Sequence, residues 1–180
     1  MSHANGLRLA RRVGGPLQGK LNYKHPGGAG YAPHQDIPAY PGLSRCVTCL
    51  VAVDDATEEN GCLEFAPGKH RELLPQGNDG CIASNIADGL AWLRVPSTAG
   101  SLVWFHGLIP HRSGDNRGHR SRRGLYLTYN AFSEGDRRSR YYQQKERAFA
   151  AKSWATERGN ERVSLINHFR GRAVAAKEDR

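Results

Sequence analysis

Residues 45–66 read RCVTCLVAVDDATEENGCLEFA, two apolar runs separated by a polar stretch that ends in the turn residues Glu59-Asn60-Gly61. The runs Arg45–Val53 and Cys62–Ala66 are rich in β-branched and apolar residues, which favour strands over helices. An Asn-Gly pair between two such runs is typical of a tight turn. The stretch therefore predicts two strands joined as a hairpin.

Short runs of the same kind recur on both sides of this stretch, punctuated by Gly, Pro, Asn and Asp. They lie at Gly19–Lys24, Ala91–Pro96, Ser101–Phe105 and Gly124–Asn130. Many short strands without a long helical period favour a sandwich or a barrel. Residues Glu134–Lys152 contain no proline and predict a helix instead. A last apolar cluster, Val163–Phe169, could return as a strand or dock on the sheet.

Length and composition indicate one globular unit. The chain has 180 residues, of which 38% are hydrophobic and 24% charged, and this length suits one domain. We expect an N-terminal arm over residues 1–16 and a single domain over residues 17–180. No apolar run approaches the roughly 20 residues that span a bilayer. The first residues lack the apolar stretch of a secretory signal, so a cytoplasmic location is expected.

The basic residues cluster at 112–123, 137–147 and 170–180, and the net charge is +9. Such a charge permits binding to nucleic acid or to anionic surfaces. Few aromatic residues are interleaved with the basic runs, and no known nucleic-acid module is present. We therefore favour a solvated basic surface that attracts small anionic substrates. The oligomeric state does not follow from the sequence.

The four cysteines are expected to be reduced thiols, because no secretory signal directs the chain to an oxidising compartment. Cys46 and Cys49 form a C-x-x-C, a spacing found in zinc and redox sites. Residues three apart on a strand point to opposite faces, however, so the two sulfurs should diverge. A structural role is the better interpretation.

His34 and Asp36 are the first candidate metal ligands, since residues two apart on a strand point to the same face. A surface histidine paired with an acid is the plain alternative. The preceding Gly-rich residues 26–30 leave space for a ligand. Gly-rich loops also bind phosphates, but here no helix start or Lys-Ser/Thr follows, as a P-loop would require.

His111 follows a distant strand, and a barrel can bring such a residue to the same point. Two histidines and one carboxylate leave three coordination positions open, the arrangement of non-haem iron(II) oxygenases. Zinc and manganese can occupy similar sites. His106 is expected to be packed or hydrogen-bonded rather than to be a ligand, because odd spacing along a strand would turn it away from His111.

Arg122 lies eleven positions after His111 and could bind a dicarboxylate co-substrate. A 2-oxoglutarate that chelates iron through its keto-acid end needs a cation for its far carboxylate, and a guanidinium binds a carboxylate through two parallel hydrogen bonds. Ser113 could donate another. In a stretch with five arginines, the alternative is an ordinary surface arginine.

Taken in order, these motifs resemble the phytanoyl-CoA dioxygenase family of iron(II)/2-oxoglutarate oxygenases, over about Lys20 to Tyr142. The motifs that carry the resemblance are HQD at 34–36, ENGCLE at 59–64, PGKH at 67–70 and HRSGDN at 111–116, followed by Arg122. The resemblance implies a mainly β fold, a double-stranded β-helix (jelly-roll, cupin-like) with a C-terminal helix. It also implies that His34, Asp36 and His111 bind Fe(II), while Ser113 and Arg122 hold 2-oxoglutarate.

Residues 20–36 and 126–130 are most similar to the branch that hydroxylates 2-aminoethylphosphonate and its N-methylated relatives. That resemblance implies consumption of O2 and 2-oxoglutarate, with release of succinate and CO2. A phosphonate needs cations, and Lys20, Lys24 and Arg123 are candidates, each of which could equally be a solvated surface residue.

One feature departs from the family pattern. Relatives carry a largely helical segment before the first strand, whereas about sixteen residues precede it here. The sequence leaves open whether the chain is a fragment or a shortened form. A truncated, non-catalytic jelly-roll that binds a metal or an anion is therefore the alternative function.

Overall fold

Two four-stranded antiparallel sheets form the protein, in a computed structural model that describes residues 13–77 and 79–151. In spatial order, the first sheet contains β1 (Val13–Lys24), β8 (Arg122–Ala131), β3 (Cys46–Ala52) and β6 (Leu102–His106). The second contains β2 (Tyr31–His34), β7 (His111–Ser113), β4 (Leu63–Phe65) and β5 (Leu93–Val95). Strands that pair across such long sequence separations build a jelly-roll, and this confirms the predicted fold class.

Two α-helices accompany the sheets in the described residues: α1 (Ser84–Ala87) and α2 (Arg138–Ala151). Helix α2 confirms most of the predicted helix, whose last residue, Lys152, lies outside the described residues, as does Val163–Phe169. Strand β1 begins at Val13, before the predicted start of the domain at residue 17. No helix among residues 13–77 and 79–151 is long and apolar enough to cross a membrane.

The apolar core lies between the two sheets. Leu50 and Phe105 of the first sheet pack against Leu63 and Phe65 of the second, and the two phenylalanine rings are 5.2 Å apart. Each such side chain contributes roughly 1.5–3 kcal/mol when it is removed from water. A second cluster of Leu17, Tyr40, Cys46 and Tyr141 attaches α2 to the end of the first sheet.

The predicted hairpin between residues 45–53 and 62–66 is wrong. β3 pairs with β6 and β8, whereas β4 pairs with β5 and β7, so the two strands belong to different sheets. The turn itself exists: the Asn60 side chain accepts from the Thr57 N–H and donates to the Asp55 carbonyl. Both edges of β3 are already occupied by other strands, so the chain crosses to the opposite sheet after this turn.

The four cysteines are buried and free. Cys46 and Cys49 lie three positions apart in the unbroken register of β3, so successive side chains alternate between the faces of the sheet. Burial raises the pKa of the Cys46 thiol to about 12. A thiol with a raised pKa is a poor nucleophile and a poor metal ligand, which agrees with a structural role.

Candidate metal and co-substrate site

Three side chains predicted from the sequence as metal ligands converge on one point. Asp36 Oδ1 lies 3.7 Å from His34 Nε2 and 3.6 Å from His111 Nε2. One ligand atom from each residue lies within 4.8 Å of the others. Both histidines are buried, and Asp36 is partly buried. The three atoms form one face of a coordination sphere.

The hydrogen bonds of the two histidines fix which ring nitrogen faces this point. His34 Nδ1 lies 2.7 Å from the Ala32 carbonyl oxygen, and His111 Nδ1 lies 3.0 Å from the Ile109 carbonyl oxygen. A carbonyl oxygen can only accept, so each Nδ1 carries the proton and donates. Each Nε2 is therefore the ring nitrogen that can bind a metal, as in other histidine metal sites.

The two histidines are neighbours because β2 pairs with β7, with His34 directly opposite His111. The backbone around Asp36 differs from the prediction, because β2 ends at His34 and Asp36 directly precedes the 3-10 helix Ile37–Ala39. The predicted convergence is present, but the strand geometry offered for it is wrong. The turn after β2, rather than the alternation of a strand, directs the carboxylate toward the histidines.

Gln35, between the two ligands, was not predicted and is completely buried. Its Nε2 donates to the carbonyl oxygens of Glu72 and Leu108, and its Oε1 accepts from the Leu74 N–H. The amide thus ties two loops to the backbone between His34 and Asp36. A glutamine that faces away from the metal has no sequence signal of its own.

His106 is not part of the cluster. Its Nδ1 accepts from the Leu108 N–H at 3.0 Å, and its ring packs against His70 with centroids 6.0 Å apart. Burial, followed by the charges of His70 and Arg45, lowers its pKa. The predicted packed role agrees with this placement, but the reason differs: β6 ends at His106 and a turn separates it from β7.

The ligand types of the cluster and its two carboxylate–imidazole distances suit a first-row transition metal. Two bonds of about 2.1 Å to a shared ion allow ligand atoms up to about 4.2 Å apart, and the carboxylate–imidazole distances of 3.6 and 3.7 Å fall within that limit. Phe105 packs against His111 with ring centroids 5.1 Å apart and places an apolar ring beside this ligand. Two imidazoles and one carboxylate form the facial triad that leaves positions open for oxygen chemistry.

A cationic cluster lies beside the triad. Arg122 is buried, and its Nε and Nη2 donate to the carbonyl oxygens of Asn60 and Gly61 at 3.3 and 3.0 Å. Lys24 pairs directly with Arg122 in the β1–β8 register, and its Nζ donates to Ser113 Oγ at 2.8 Å. Burial and, secondarily, the Arg122 charge lower the pKa of Lys24 to about 7. Two cations and a hydroxyl therefore surround one position.

Two glycines permit this close packing. Gly30 lies against the Ser113 carbonyl and Gly61 against the Gly114 carbonyl, so a Cβ on either would overlap backbone oxygen. Gly61 also has a φ of 75°, which favours glycine. The absence of both side chains lets the segments around Gly30 and Gly61 pack directly on the backbone of Ser113 and Gly114.

A family model described as phytanoyl-CoA dioxygenase matches residues 2–124, which include the triad, Ser113 and Arg122. The chain belongs to the phytanoyl-CoA dioxygenase family. Iron(II) and 2-oxoglutarate, predicted here as cofactor and co-substrate, are those of this family of oxygenases, and the triad and the cationic cluster suit them.

Two curated relatives carry phosphonate names. A methylphosphonate hydroxylase of Gimesia maris is 48% identical over 156 residues, which cover 85% of this chain and 59% of the relative. A 2-aminoethylphosphonate dioxygenase from the uncultured bacterium HF130_AEPn_1 is 43% identical over 133 residues, 72% of this chain and 51% of the relative. The chain thus spans between half and three fifths of these relatives.

Solved structures confirm the fold. The crystal structure of EctD from S. alaskensis with 2-oxoglutarate and 5-hydroxyectoine matches with a TM-score of 0.61 and 26% identity. The match covers 69% of this chain and 46% of that chain. The jelly-roll described above is therefore the fold of a protein that binds 2-oxoglutarate.

The three candidate phosphonate-binding cations differ in placement. Lys20 and Lys24 both approach the Tyr31 ring, with each Nζ within 6 Å of its centroid, on the inner side of the first sheet. Arg123 lies on the outer side, where Nε and Nη2 donate to the two carboxylate oxygens of Asp54 at 2.8 and 2.7 Å. This ion pair on the outer side does not favour a substrate contact for Arg123.

Proposed function

We propose that this chain forms the catalytic barrel of an Fe(II)/2-oxoglutarate-dependent dioxygenase that hydroxylates a small phosphonate. The observation that carries the proposal is the buried convergence of His34, Asp36 and His111, with both Nε2 atoms oriented by backbone hydrogen bonds. These three residues would hold the iron on one face. The remaining positions would be available to 2-oxoglutarate and O2.

The cationic cluster supports the second part of the proposal. Arg122 and Ser113 would bind the far carboxylate of 2-oxoglutarate, as predicted from the sequence. Lys24 was predicted as a substrate cation, but its contact with Ser113 favours a place at the same carboxylate. Burial and, secondarily, the Arg122 charge lower the pKa of Lys24, and an anion between Lys24 and Arg122 would stabilise the ammonium form against both effects.

The chemistry follows from the bound groups together with the residues that hold them. Bound iron and 2-oxoglutarate would supply oxidising power, so that substrate C–H, 2-oxoglutarate and O2 yield substrate C–OH, succinate and CO2. Arg122, Ser113 and Lys24 would fix the co-substrate, and Phe105 would exclude water behind His111. The contribution of the protein is positioning and exclusion of water.

The substrate class rests on the relatives and on charge. Both curated relatives are named for phosphonates, and the net charge of +9 favours anions. We infer a small anionic substrate such as methylphosphonate, 2-aminoethylphosphonate or an N-methylated analogue. A cytoplasmic location stays a prediction of the sequence.

Succinate release from 2-oxoglutarate tests the proposal. The purified chain would be incubated with Fe(II), O2 and 2-oxoglutarate, and with phosphonates, acyl-CoAs or amino acids in turn. β-Alanine serves as the matched control for 2-aminoethylphosphonate, because it replaces the phosphonate by a carboxylate. We expect iron-dependent succinate formation that a phosphonate stimulates most.

Two results would contradict this assignment. Binding of iron and 2-oxoglutarate without succinate formation from any substrate would support the non-catalytic binding barrel instead. Stimulation by acyl-CoAs and not by phosphonates would retain the reaction type and reject the substrate class.

A further inference from the structure

The carboxylate of Asp36 reaches the candidate metal site from a turn. Asp36 directly precedes the 3-10 helix Ile37–Ala39, but its side chain makes no capping hydrogen bond to that helix. An aspartate at such a position usually accepts from the first backbone N–H groups of the helix. Here the carboxylate lies beside the two histidines instead, so its position depends on how the backbone around it is held.

Backbone hydrogen bonds hold this turn together. The Ile37 N–H donates to the Gly107 carbonyl oxygen at 3.1 Å, and the Tyr40 N–H donates to the Ile37 carbonyl oxygen at 3.0 Å. Gln35 anchors the backbone just before Asp36 through its buried amide. Tyr40 ends the turn four residues after Asp36, and its side chain is buried. Tyr40 is therefore placed to anchor the other end of the turn.

A row of polar residues crosses the inward face of the first sheet where the turn meets it. Thr128 of β8 lies directly opposite both Gln18 of β1 and Thr48 of β3, and all three residues are buried. Residues directly opposite in antiparallel strands present their side chains on the same face. Phe105 of β6 continues the row, and its ring packs against His111. The row therefore lies on the face that carries the candidate site.

The Tyr40 hydroxyl joins this row through two hydrogen bonds. It donates to Gln18 Oε1 at 2.9 Å, and it lies 3.2 Å from Thr128 Oγ1. Tyr40 has one hydroxyl hydrogen, which goes to Gln18, so Thr128 is the donor in the second bond. Thr48 Oγ1 lies 3.0 Å from Thr128 Oγ1 and donates to it for the same reason. The hydroxyl hydrogens thus all point toward the Gln18 amide oxygen.

Tyr141 of α2 donates to the same Gln18 oxygen. Its hydroxyl lies 3.0 Å from Gln18 Oε1, and its ring centroid lies 5.5 Å from that of Tyr40. Both tyrosines are buried and make the same kind of hydrogen bond to one acceptor. They differ in that Tyr40 is four residues from Asp36, whereas Tyr141 belongs to a helix that contributes no residue to the triad. Comparison of the two tyrosines therefore separates packing of the cluster from an effect on the metal site.

From these contacts we propose that Tyr40 is a positioning residue for Asp36, because its hydroxyl anchors the turn that carries the carboxylate to the inward face of the first sheet. The inference rests on the proposed metal site and deepens it. A buried hydroxyl without a partner is unfavourable, so the turn is stable where the Tyr40 hydroxyl meets Gln18 and Thr128. Without that hydroxyl the turn would populate arrangements in which the carboxylate no longer meets both histidines.

Two measurements on the full chain test this role: thermal unfolding before iron is added, and anaerobic titration with Fe(II). Tyr40→Phe and Tyr141→Phe each remove one hydroxyl that donates to Gln18, and each should lower Tm by about 2–4 °C. The Kd for Fe(II) should rise about 10-fold in Tyr40→Phe, as for other outer groups that orient a metal ligand, and stay within about twofold in Tyr141→Phe. A merely structural role would change the Kd equally in both variants.

Gln18→Leu is a second variant that removes the shared acceptor, and it should weaken Fe(II) binding as Tyr40→Phe does. In the double variant of Gln18→Leu and Tyr40→Phe, the Kd should stay within about twofold of that in Gln18→Leu, because the hydroxyl has already lost its acceptor. An additive loss in the double variant would overturn the inference, as would an unchanged Kd in Tyr40→Phe or equal weakening in Tyr141→Phe.

Asp36→Ala distinguishes failure of this inference from failure of the proposed function. Loss of Fe(II) binding in Asp36→Ala, together with an unchanged Kd in Tyr40→Phe, would reject the positioning role alone. Fe(II) binding in Asp36→Ala that equals that of the wild type would reject the proposed metal site, and this inference with it.

Discussion

The two faces of the first sheet differ completely, although the same strands build both. The inward side of β1 and β8 carries Gln18, Lys20, Lys24, Arg122 and Thr128. The outward side of the sheet carries exposed apolar residues, namely Leu21, Tyr23, Leu102 and Trp104. In many proteins apolar residues fill the interior and polar residues cover the surface. At one end of this sheet the arrangement is reversed, because polar residues of the inward face surround the candidate site.

Arg122 and Arg123 show the difference between the faces most directly. They are adjacent in sequence, but Arg122 is buried next to Lys24 and Ser113, whereas Arg123 is exposed and forms an ion pair with Asp54. Because successive side chains of β8 point to opposite faces, two adjacent arginines have unrelated contacts. The face of the sheet, rather than the residue type, decides which arginine can contact a co-substrate.

The largest expected difference lies between two aspartate variants. Asp36 belongs to the candidate metal site, whereas Asp54 pairs with Arg123 on the outward side of the first sheet. Asp36→Ala should abolish succinate formation, with a loss of at least about 100-fold, because a metal ligand contributes more than the outer groups whose loss costs 10–100-fold. Asp54→Ala removes a carboxylate that pairs only with Arg123 among the ion pairs of the described residues, and turnover should persist. Equal losses in the two variants, measured by succinate release, would contradict the inner-face site.

The paired arginines give the next largest effect. Arg122→Gln should raise the Kd for 2-oxoglutarate at least about 30-fold, since loss of a buried, hydrogen-bonded charge partner costs 2 kcal/mol or more. Arg123→Gln should leave that Kd unchanged, because its exposed ion pair lies on the opposite face. Calorimetric titration with 2-oxoglutarate compares the two, and a larger effect from Arg123 would break the comparison between faces.

A pH dependence should distinguish Lys24 from an ordinary surface lysine. Since its pKa is lowered to about 7, the ammonium form predominates below that pH and the neutral form above it. Binding of 2-oxoglutarate should therefore weaken as pH rises above about 7 and should take up a proton there. Titrations in buffers of different ionisation enthalpy measure this uptake. Lys24→Met should remove it, and a proton uptake that persists in Lys24→Met would show that another group titrates.

The smallest effect on stability and turnover is expected from a substitution on the outward face of the first sheet. Leu21→Gln changes an exposed side chain outside the core, so the free energy of unfolding should change by less than about 1 kcal/mol, as for other surface substitutions. Succinate formation should be unchanged. Denaturant unfolding together with the turnover assay checks both, and a loss of turnover in a folded variant would indicate that this face contributes to the site.

Much of the fold followed from local pattern, because most strands are apolar runs bounded by turn residues. β2 and β7 were missed because they consist largely of site residues and, unlike the equally short β4 and β5, do not form apolar runs. The hairpin error has a different source. A turn such as Asn60-Gly61 reverses the chain but does not specify which sheet receives the next strand; that choice depends on edges already occupied by β6 and β8.

The residues of the candidate site also fall into those that the sequence could predict and those that it could not. His34, Asp36, His111 and Arg122 could be selected because their chemistry and order match a known type of centre. Gln35 could not, since it acts through buried backbone contacts. The order of the motifs in the sequence was enough to predict the ligands, whereas the placement of supporting residues depends on tertiary packing.

Metal binding tests the central claim most directly, because it does not depend on the substrate. Anaerobic titration of the chain with Fe(II) should show one site per chain, which is lost in Asp36→Ala and retained in Asp54→Ala. The same stoichiometry and affinity in Asp36→Ala as in the wild type would contradict a centre formed by His34, Asp36 and His111.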